Sequence, residues 1–296
     1  IRGRDAGLSL ADCVVIGCAC GGVEASGEAS VELENCLIVA CGLHGVYVAD
    51  PARRRLKRLR LTNCDVCRCQ GTNILFDGVA DTTITDCRIS RAGQTGIHAG
   101  SRAIIRHNAI FDNGGTGICA AGQCLVKQNL LCRNQRGLLC GPNAKCAIDG
   151  NLLIDNSTGI CGQGNADSTI RRNVFLGCHD GVEYNADARL RDRIPFAGKI
   201  HVRENVFWRV LHPLIKRDGA PNAWPGRFEP LELAEEDQNR HEDPHIAIDA
   251  AGRLRLDINA PPPGFDFSAV ADLSLEGRWP LTAAEPAGAV PATAGR

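Results

Sequence analysis

A repeat of about 22 residues runs through the first two thirds of the chain. Indexed on Asn129, nine equivalent positions follow one another at spacings of 23, 28, 23, 21, 21, 22, 22 and 32 residues. They are Cys13, Cys36, Cys64, Cys87, Asn108, Asn129, Asn151, Asn173 and Asn205. Self-similarity at such a period is typical of a solenoid, in which each coil packs only on its neighbours. We call the indexed residue position 0 of its coil and count other positions from it.

Two apolar columns flank position 0. Position −3 is Leu, Ile or Val in all nine coils, and position +2 is Val, Ile, Leu or Phe in all nine. Gly-aliphatic pairs follow, among them Gly117-Ile118 and Gly159-Ile160. Short segments with alternate residues inward, separated by Gly, Asn and Asp, are typical of β-strands. The pattern predicts an all-β solenoid with three short strands per coil, in which consecutive coils lie about 4.8 Å apart.

The recurring form N-x-[IL]-x-x-N-x-x-G-[IL] is seen in NLLCRNQRGL (129–138) and NLLIDNSTGI (151–160). It resembles the right-handed parallel β-helix family of pectate-lyase-like proteins, over roughly residues 8–210. The resemblance implies a right-handed parallel β-helix and a carbohydrate bias, because that family includes polysaccharide lyases, hydrolases and uronate epimerases. It implies no single reaction. We expect the β-helix over residues 1–211, with its N-terminal cap or further coils missing upstream, and an irregular Pro-rich C-terminal cap and tail over 212–296.

Bulk composition limits the classes of partner. The net charge is −1, which argues against nucleic acid and against a polybasic membrane surface. No apolar run approaches the roughly 18–20 residues that cross a bilayer, so we expect no membrane insertion. The resemblance implies an extracellular or cell-envelope location, which the many unpaired thiols weakly oppose.

Position 0 carries cysteine in the first four coils and asparagine in the last five. Stacked asparagines can bond amide to amide and satisfy the backbone of a buried turn, so we interpret them as structural. The cysteines are interpreted as small buried free thiols, although the coil spacing alone leaves a disulfide such as Cys13–Cys36 open. Cys64, Cys67 and Cys69 do not share one column, so we predict no zinc site there.

Two coils are oversized. The second contains ADPARRRLKR (49–58) and the eighth contains NADARLRDRIPFAGK (185–199). Insertions in solenoids form loops on one face and commonly wall a binding groove, so both segments are candidates for that role.

Candidate chemistry lies in two outward columns that carry charge. Position −2 holds Arg106, Lys127, Asp149, Arg171 and Arg203, and position +4 holds Arg68, Arg91, Asp112, Arg133 and Asp155. Arginine can bind a uronate carboxylate through two hydrogen bonds, which suits acidic polysaccharide. We therefore name Arg68, Arg91, Arg106 and Arg171 as substrate-binding candidates.

A lyase or epimerase acting on uronates must neutralise the carboxylate, remove the C5 proton and then expel O4 or return the proton. Arg133 is the candidate neutraliser and Lys127 the candidate base. Asp112 and Asp155 lie two coils apart, or about 10 Å between backbones, near the upper limit for an inverting hydrolase. The same alternation of Asp and Arg would also keep an inert solenoid soluble.

Two functions therefore stay open on the sequence. The first is a protein that binds or processes acidic polysaccharide, by lyase or epimerase chemistry rather than hydrolysis. The second is a non-catalytic surface or extracellular solenoid that binds or supports partners. The cofactor is unknown: a calcium requirement is left open without a motif for it, and no metal-ligand set is predicted. His179-Asp180 is interpreted as a turn.

Overall fold

The computed structural model describes residues 1–5, 7–49, 56–164, 166–186, 200–218, 227–230, 238–244, 246–248, 254–256 and 273. Within these ranges every regular element is a β-strand. Three sheets, which we call A, B and C, run along the solenoid, and their repeated strands pair in parallel. The predicted all-β parallel solenoid is confirmed. No helix able to span a bilayer is found in the described part of the chain.

Each complete coil contributes one strand to each sheet, in the order B, C, A. Sheet A consists of β1 (Arg2–Arg4), β4 (Val23–Ser26), β7 (Val46–Val48), β10 (Ile74–Phe76), β13 (Ile97–Ala99), β16 (Thr116–Ala120), β19 (Arg136–Cys140), β22 (Thr158–Gln163), β25 (Asp180–Ala186), β28 (His212–Asp218) and β29 (Arg227–Pro230). Sheet B consists of β2 (Gly7–Ala11), β5 (Ser30–Glu34), β8 (Leu56–Thr62), β11 (Val79–Thr85), β14 (Ala103–Arg106), β17 (Gln123–Lys127), β20 (Lys145–Asp149), β23 (Asp167–Arg171) and β26 (Ile200–Arg203). Sheet C consists of β3 (Val14–Ile16), β6 (Leu37–Val39), β9 (Asp65–Cys67), β12 (Arg88–Ser90), β15 (Ala109–Phe111), β18 (Leu130–Cys132), β21 (Leu152–Ile154), β24 (Val174–Leu176) and β27 (Val206–Trp208).

The apolar columns form the core in register. In sheet B, Ile105 pairs with Val126, which pairs with Ile148. In sheet C the residues at position +2 pair in the same way from coil to coil. All of these inward side chains in the central coils are fully buried. Because each coil presents the same two columns, one continuous core runs through the solenoid.

The asparagines at position 0 form a hydrogen-bonded ladder along the solenoid. Asn129 Nδ2 donates to Asn151 Oδ1 at 2.9 Å and to the carbonyls of Ile105 and Lys127, both at 3.0 Å. Its Oδ1 accepts from the backbone N and the Nδ2 of Asn108, both at 3.0 Å. A second ladder at position +5 contains Asn113, Asn134 and Asn156. Both ladders satisfy backbone groups that would otherwise be buried without partners.

The cysteines at position 0 replace the asparagines in the same bonding pattern. Cys64 Sγ contacts the carbonyls of Thr62 at 3.3 Å and Leu33 at 3.5 Å, which correspond to the two carbonyls that Asn129 binds. All sixteen cysteines are free thiols. Burial raises the pKa of the thiols of Cys36 and Cys87 at position 0, and that of Cys132 and Cys178 elsewhere in the coils to about 12. These four side chains therefore pack as small neutral residues.

The repeated structure extends beyond the predicted boundary at residue 211. Strand β28 continues sheet A in parallel with β25. Asn239 then adds a further rung to the ladder, because its Oδ1 accepts from Asn205 Nδ2 at 3.1 Å. Later segments are irregular: β29 is antiparallel to β28, β30 (Ile246–Ile248) pairs with β31 (Leu254–Leu256), and Leu273 packs against the outer face of sheet C. Most of both predicted insertions (50–55 and 187–199) lies outside the described residues.

Glycine at the start of the sheet A strands is required by close packing between coils. A Cβ added to Gly137 would lie 2.6 Å from the Gly159 carbonyl oxygen and 3.0 Å from Leu153 Cδ2. Gly137→Ala is therefore expected to lower the free energy of unfolding by about 1–3 kcal/mol, measured by urea denaturation. Gly141→Ala is the matched control, since its Cβ would have no contact shorter than 3.4 Å. Equal losses in the two variants would contradict the packing explanation.

Candidate functional site

The turn from sheet C to sheet A carries the predicted charged column at position +4. Its members have left-handed backbone: φ is 58° at Arg68, 54° at Arg91, 55° at Asp112, 50° at Arg133 and 49° at Asp155. Their backbone N–H groups donate to the last sheet C residue of the next coil, as Arg133 N does to the Ile154 carbonyl at 3.0 Å. In these five consecutive coils the turn places one charged residue each at the same edge.

Two members of the column form an ion pair. Arg133 Nε lies 2.7 Å from Asp112 Oδ1, and Arg133 Nη2 lies 2.9 Å from Asp112 Oδ2. The pair is bidentate, and the Asp112 carboxylate raises the pKa of Arg133. Asp155 is exposed in the next coil. The structure therefore brings Asp112 and Arg133 together, with the positive charge of Arg133 already compensated.

Arg68 and Arg91 differ from Arg133. Both side chains are exposed, and no acidic partner for either is found among the described residues. They occupy the same edge in consecutive coils, so their backbones lie about 4.8 Å apart. Two cationic side chains at this spacing leave positive charge available to an anionic ligand.

The other candidates lie on a different edge, at the turn from sheet B to sheet C. Arg106 pairs with Lys127 as the last residues of β14 and β17, and the series continues through Asp149 to Arg171. Asp149 is buried and bound by Arg172, which contributes two contacts, and by Arg171 at 3.5 Å. The sheet C strand separates Lys127 from Arg133, so the candidate base and the candidate neutraliser are not on one edge.

A group of three polar side chains lies at the turn from sheet C to sheet A, farther along the solenoid. Asp180 Oδ1 lies 2.9 Å from His179 Nδ1 and 3.0 Å from His212 Nδ1. The side chain of Asp180 is only 3% exposed, whereas those of His179 and His212 are 58% and 22% exposed. A buried carboxylate thus holds two imidazoles that reach solvent. We call this group the histidine centre.

The fold brings the histidine centre together in two ways. His179 and Asp180 are adjacent in the chain, at the turn that leads into β25, and His212 is the register partner of Asp180 in β28. On the other side, Thr158 is the partner of Asp180 in β22. Thr158 Oγ1 lies 3.4 Å from Glu183 Oε2, and Glu183 is also buried. The centre therefore adjoins a second buried carboxylate.

Sequence reasoning missed this centre. Its column at the start of the sheet A strands contains Thr116, Arg136, Thr158, Asp180 and His212, which share no chemical type. His212 is also 32 residues beyond Asp180, because the eighth coil is oversized. The one available signal was the register itself: His212 stands at position +7 of its coil, as Asp180 does.

One family of known proteins matches most of the repeated part of the chain. The family described as "Right handed beta helix region" matches residues 1–151 and 54–207. The chain belongs to this family. The resemblance seen in the repeat is therefore confirmed, including the right-handed β-helix that it implied. No protein among curated sequences matches this β-helix chain.

Two solved structures are similar to this β-helix. The periplasmic alginate epimerase AlgG is 16% identical, with 65% of this chain and 58% of that chain covered and a TM-score of 0.44. The pectate lyase Pel9A is 13% identical, with 92% of this chain and 81% of that chain covered and a TM-score of 0.35. This β-helix thus spans 58% of the length of the epimerase chain. At these identities the likeness concerns the fold alone.

Proposed function

We propose that this β-helix binds and processes acidic polysaccharide along the edge between sheets C and A, with the histidine centre as the place of reaction. The observation that carries the proposal is the buried Asp180 carboxylate holding His179 and His212 at a solvent-facing turn. The two solved relatives are named as an alginate epimerase and a pectate lyase, which agrees with a polysaccharide substrate.

Binding of an acidic glycan requires positive charge that is not already compensated. Arg68 and Arg91 meet that requirement, and guanidinium groups bind carboxylates in bidentate geometry. They lie on the same edge as the histidine centre. We assign Asp112, Arg133 and Asp155 to the surface that lines this edge and give them no catalytic role. The Asp112–Arg133 pair leaves little net charge there. Lys127, Arg106 and Arg171, on the other edge, are assigned no part in the reaction.

Elimination and epimerisation of a uronate share two demands at the reacting sugar. A cation must neutralise the carboxylate, and a base must accept the C5 proton. Histidine meets both demands near neutral pH, since a protonated imidazole is a cation and a neutral one is a base. A carboxylate at Nδ1 orients the ring and leaves Nε2 directed outward as the proton acceptor. Asp180 is placed to do this for both rings.

The experiment is an activity screen on alginate, pectate and glycosaminoglycans. Ultraviolet absorbance reports the unsaturated product of elimination, and exchange of the C5 hydrogen for solvent deuterium reports epimerisation. Loss of general acid–base catalysis costs about 10²–10⁴-fold, so Asp180→Asn is expected to reduce the rate by at least about 100-fold. His201→Gln, an exposed histidine in sheet B, is the matched control and should keep full activity. Equal rates in wild type and Asp180→Asn would contradict the proposal.

A second candidate is a non-catalytic solenoid that binds glycan or protein partners. The satisfied ion pairs of Arg133 with Asp112 and of Arg172 with Asp149 favour it, because they stabilise an exposed face without leaving reactive groups. Two results together would favour this candidate over the enzyme. The protein would show no activity on any substrate, and it would bind glycan in a way that is lost when Arg68 and Arg91 are replaced by alanine.

A further inference from the structure

We propose that the histidine centre binds a divalent first-row transition metal ion through His179 Nδ1, Asp180 Oδ1 and His212 Nδ1. The inference deepens the proposed function, because it assigns a cofactor to the same site, yet the metal site can exist whether or not the protein acts on glycans.

The distances between the three donor atoms suit a single ion. Metal–N and metal–O bonds of about 2.0–2.2 Å place two ligand atoms about 3.0 Å apart at the right angle of an octahedral ion and about 3.4 Å apart at the tetrahedral angle that zinc prefers. The distances from Asp180 Oδ1 to the two imidazole nitrogens are 2.9 and 3.0 Å. One potential ligand atom from each of the three residues lies within 4.8 Å of the other two. Both rings direct the same nitrogen, Nδ1, toward Asp180 Oδ1.

The donor set selects the class of ion. Two imidazole nitrogens and one carboxylate oxygen are ligands typical of zinc and of other divalent transition ions. Calcium instead takes six to eight oxygen ligands, which makes it a poor match for a centre with two nitrogen donors. The calcium requirement that the sequence left open therefore finds no support at this centre.

The burial of the centre also suits a reactive metal site. Three protein ligands leave further coordination positions for water or substrate, as in catalytic zinc sites. Here the carboxylate is buried, while the imidazole of His179 is 58% exposed. An ion held at the three donor atoms would therefore face solvent on one side and be supported by the coil on the other.

Metal binding changes how the centre meets the two demands of the proposed reaction. Such an ion would supply the positive charge that neutralises a uronate carboxylate and would lower the pKa of a water, which provides a proton acceptor. His179 and His212 would then hold the ion through Nδ1 and would not act as bases.

The test is cobalt(II) titration of the full chain after chelator treatment and dialysis, because Co²⁺ reports its ligands spectroscopically. We expect one equivalent to bind, with visible absorption bands and without the intense near-ultraviolet band of thiolate coordination. That distinction matters because the chain has sixteen free cysteines, of which Cys20 is exposed. Loss of an outer-shell partner costs 10–100-fold in affinity, so His179→Ala and His212→Ala should each raise Kd by at least about 100-fold. His201→Ala should leave Kd unchanged.

Three results would overturn the inference: no binding at one equivalent, a thiolate band, or equal affinity in wild type and His212→Ala. Cobalt binding at this centre in a protein inactive on every glycan would support the metal site and contradict the proposed function. Glycan activity in a protein that binds no cobalt would contradict the metal site alone. Circular dichroism of each variant confirms that a loss of binding does not arise from unfolding.

Discussion

Asn129→Leu is expected to lower the free energy of unfolding by about 2–6 kcal/mol, because each of two buried backbone groups that lose their side-chain partner costs about 1–3 kcal/mol. The leucine is close in size but can neither donate nor accept. It removes the donor to the Ile105 carbonyl and the acceptor for the backbone N of Asn108, whereas the Lys127 carbonyl keeps its bond from His107 N at 3.2 Å. The site is fully buried, so water cannot replace these bonds. Urea denaturation followed by circular dichroism measures the change.

Arg133→Ala is the control for that prediction. It also removes hydrogen bonds, but the Arg133 side chain is 44% exposed and its partner Asp112 is 28% exposed. Solvent can replace such bonds, and exposed ion pairs contribute about 0.2–1 kcal/mol. A loss in Arg133→Ala as large as that in Asn129→Leu would show that the buried ladder has no special importance for stability.

Phe175→Ala is expected to lower the free energy of unfolding by about 3–5 kcal/mol, through lost burial and the cavity left behind. Phe175 is fully buried and stacks on Phe207 of the next coil, with ring centroids 4.7 Å apart. Its ring also packs over Gly159, where an added Cβ would lie 2.6 Å from Phe175 Cδ1. The rigid neighbouring coils cannot collapse into the space, so relaxation should recover little of the loss.

Leu176→Ala tests whether burial is the cause, since Leu176 follows in the same strand but is only half-buried on the outer face of sheet C. It should cost clearly less than Phe175→Ala. A double-mutant cycle with Phe207→Ala should yield a coupling of about 0.5–1.5 kcal/mol, the range for aromatic pairs. Additive losses would mean that the stacked pair contributes only through area burial.

The inward columns were predictable from the sequence because the interior admits few residue types. Position −3 has to be aliphatic in every coil, and position 0 has to be small and able to donate to the carbonyl two residues before it. Asparagine and cysteine both do this, which is why Cys64 and Asn129 occupy equivalent sites with different chemistry. The rung at Asn239 escaped prediction because it follows Asn205 by 34 residues, without a repeat between them.

Outward positions were harder to predict because solvent accepts almost any side chain. The charged column at position +4 was recognised by its alternation, and the structure confirms that Asp112 and Arg133 are neighbours. The pairing of Asp180 with His212 depended instead on the length of one irregular coil. The charged column recurs from coil to coil, whereas the grouping of His179, Asp180 and His212 occurs once among the described residues.

The left-handed turns of the position +4 column have a further consequence. A residue with a side chain in this conformation costs about 1–2 kcal/mol, whereas glycine adopts it freely. The coil containing Gly177 shows that the turn closes with glycine, at φ 66°. Most coils instead carry a side chain at this turn, from Ala40 to Arg68 and Arg91, so each of these coils accepts a conformational cost that glycine would avoid and holds a side chain at this edge.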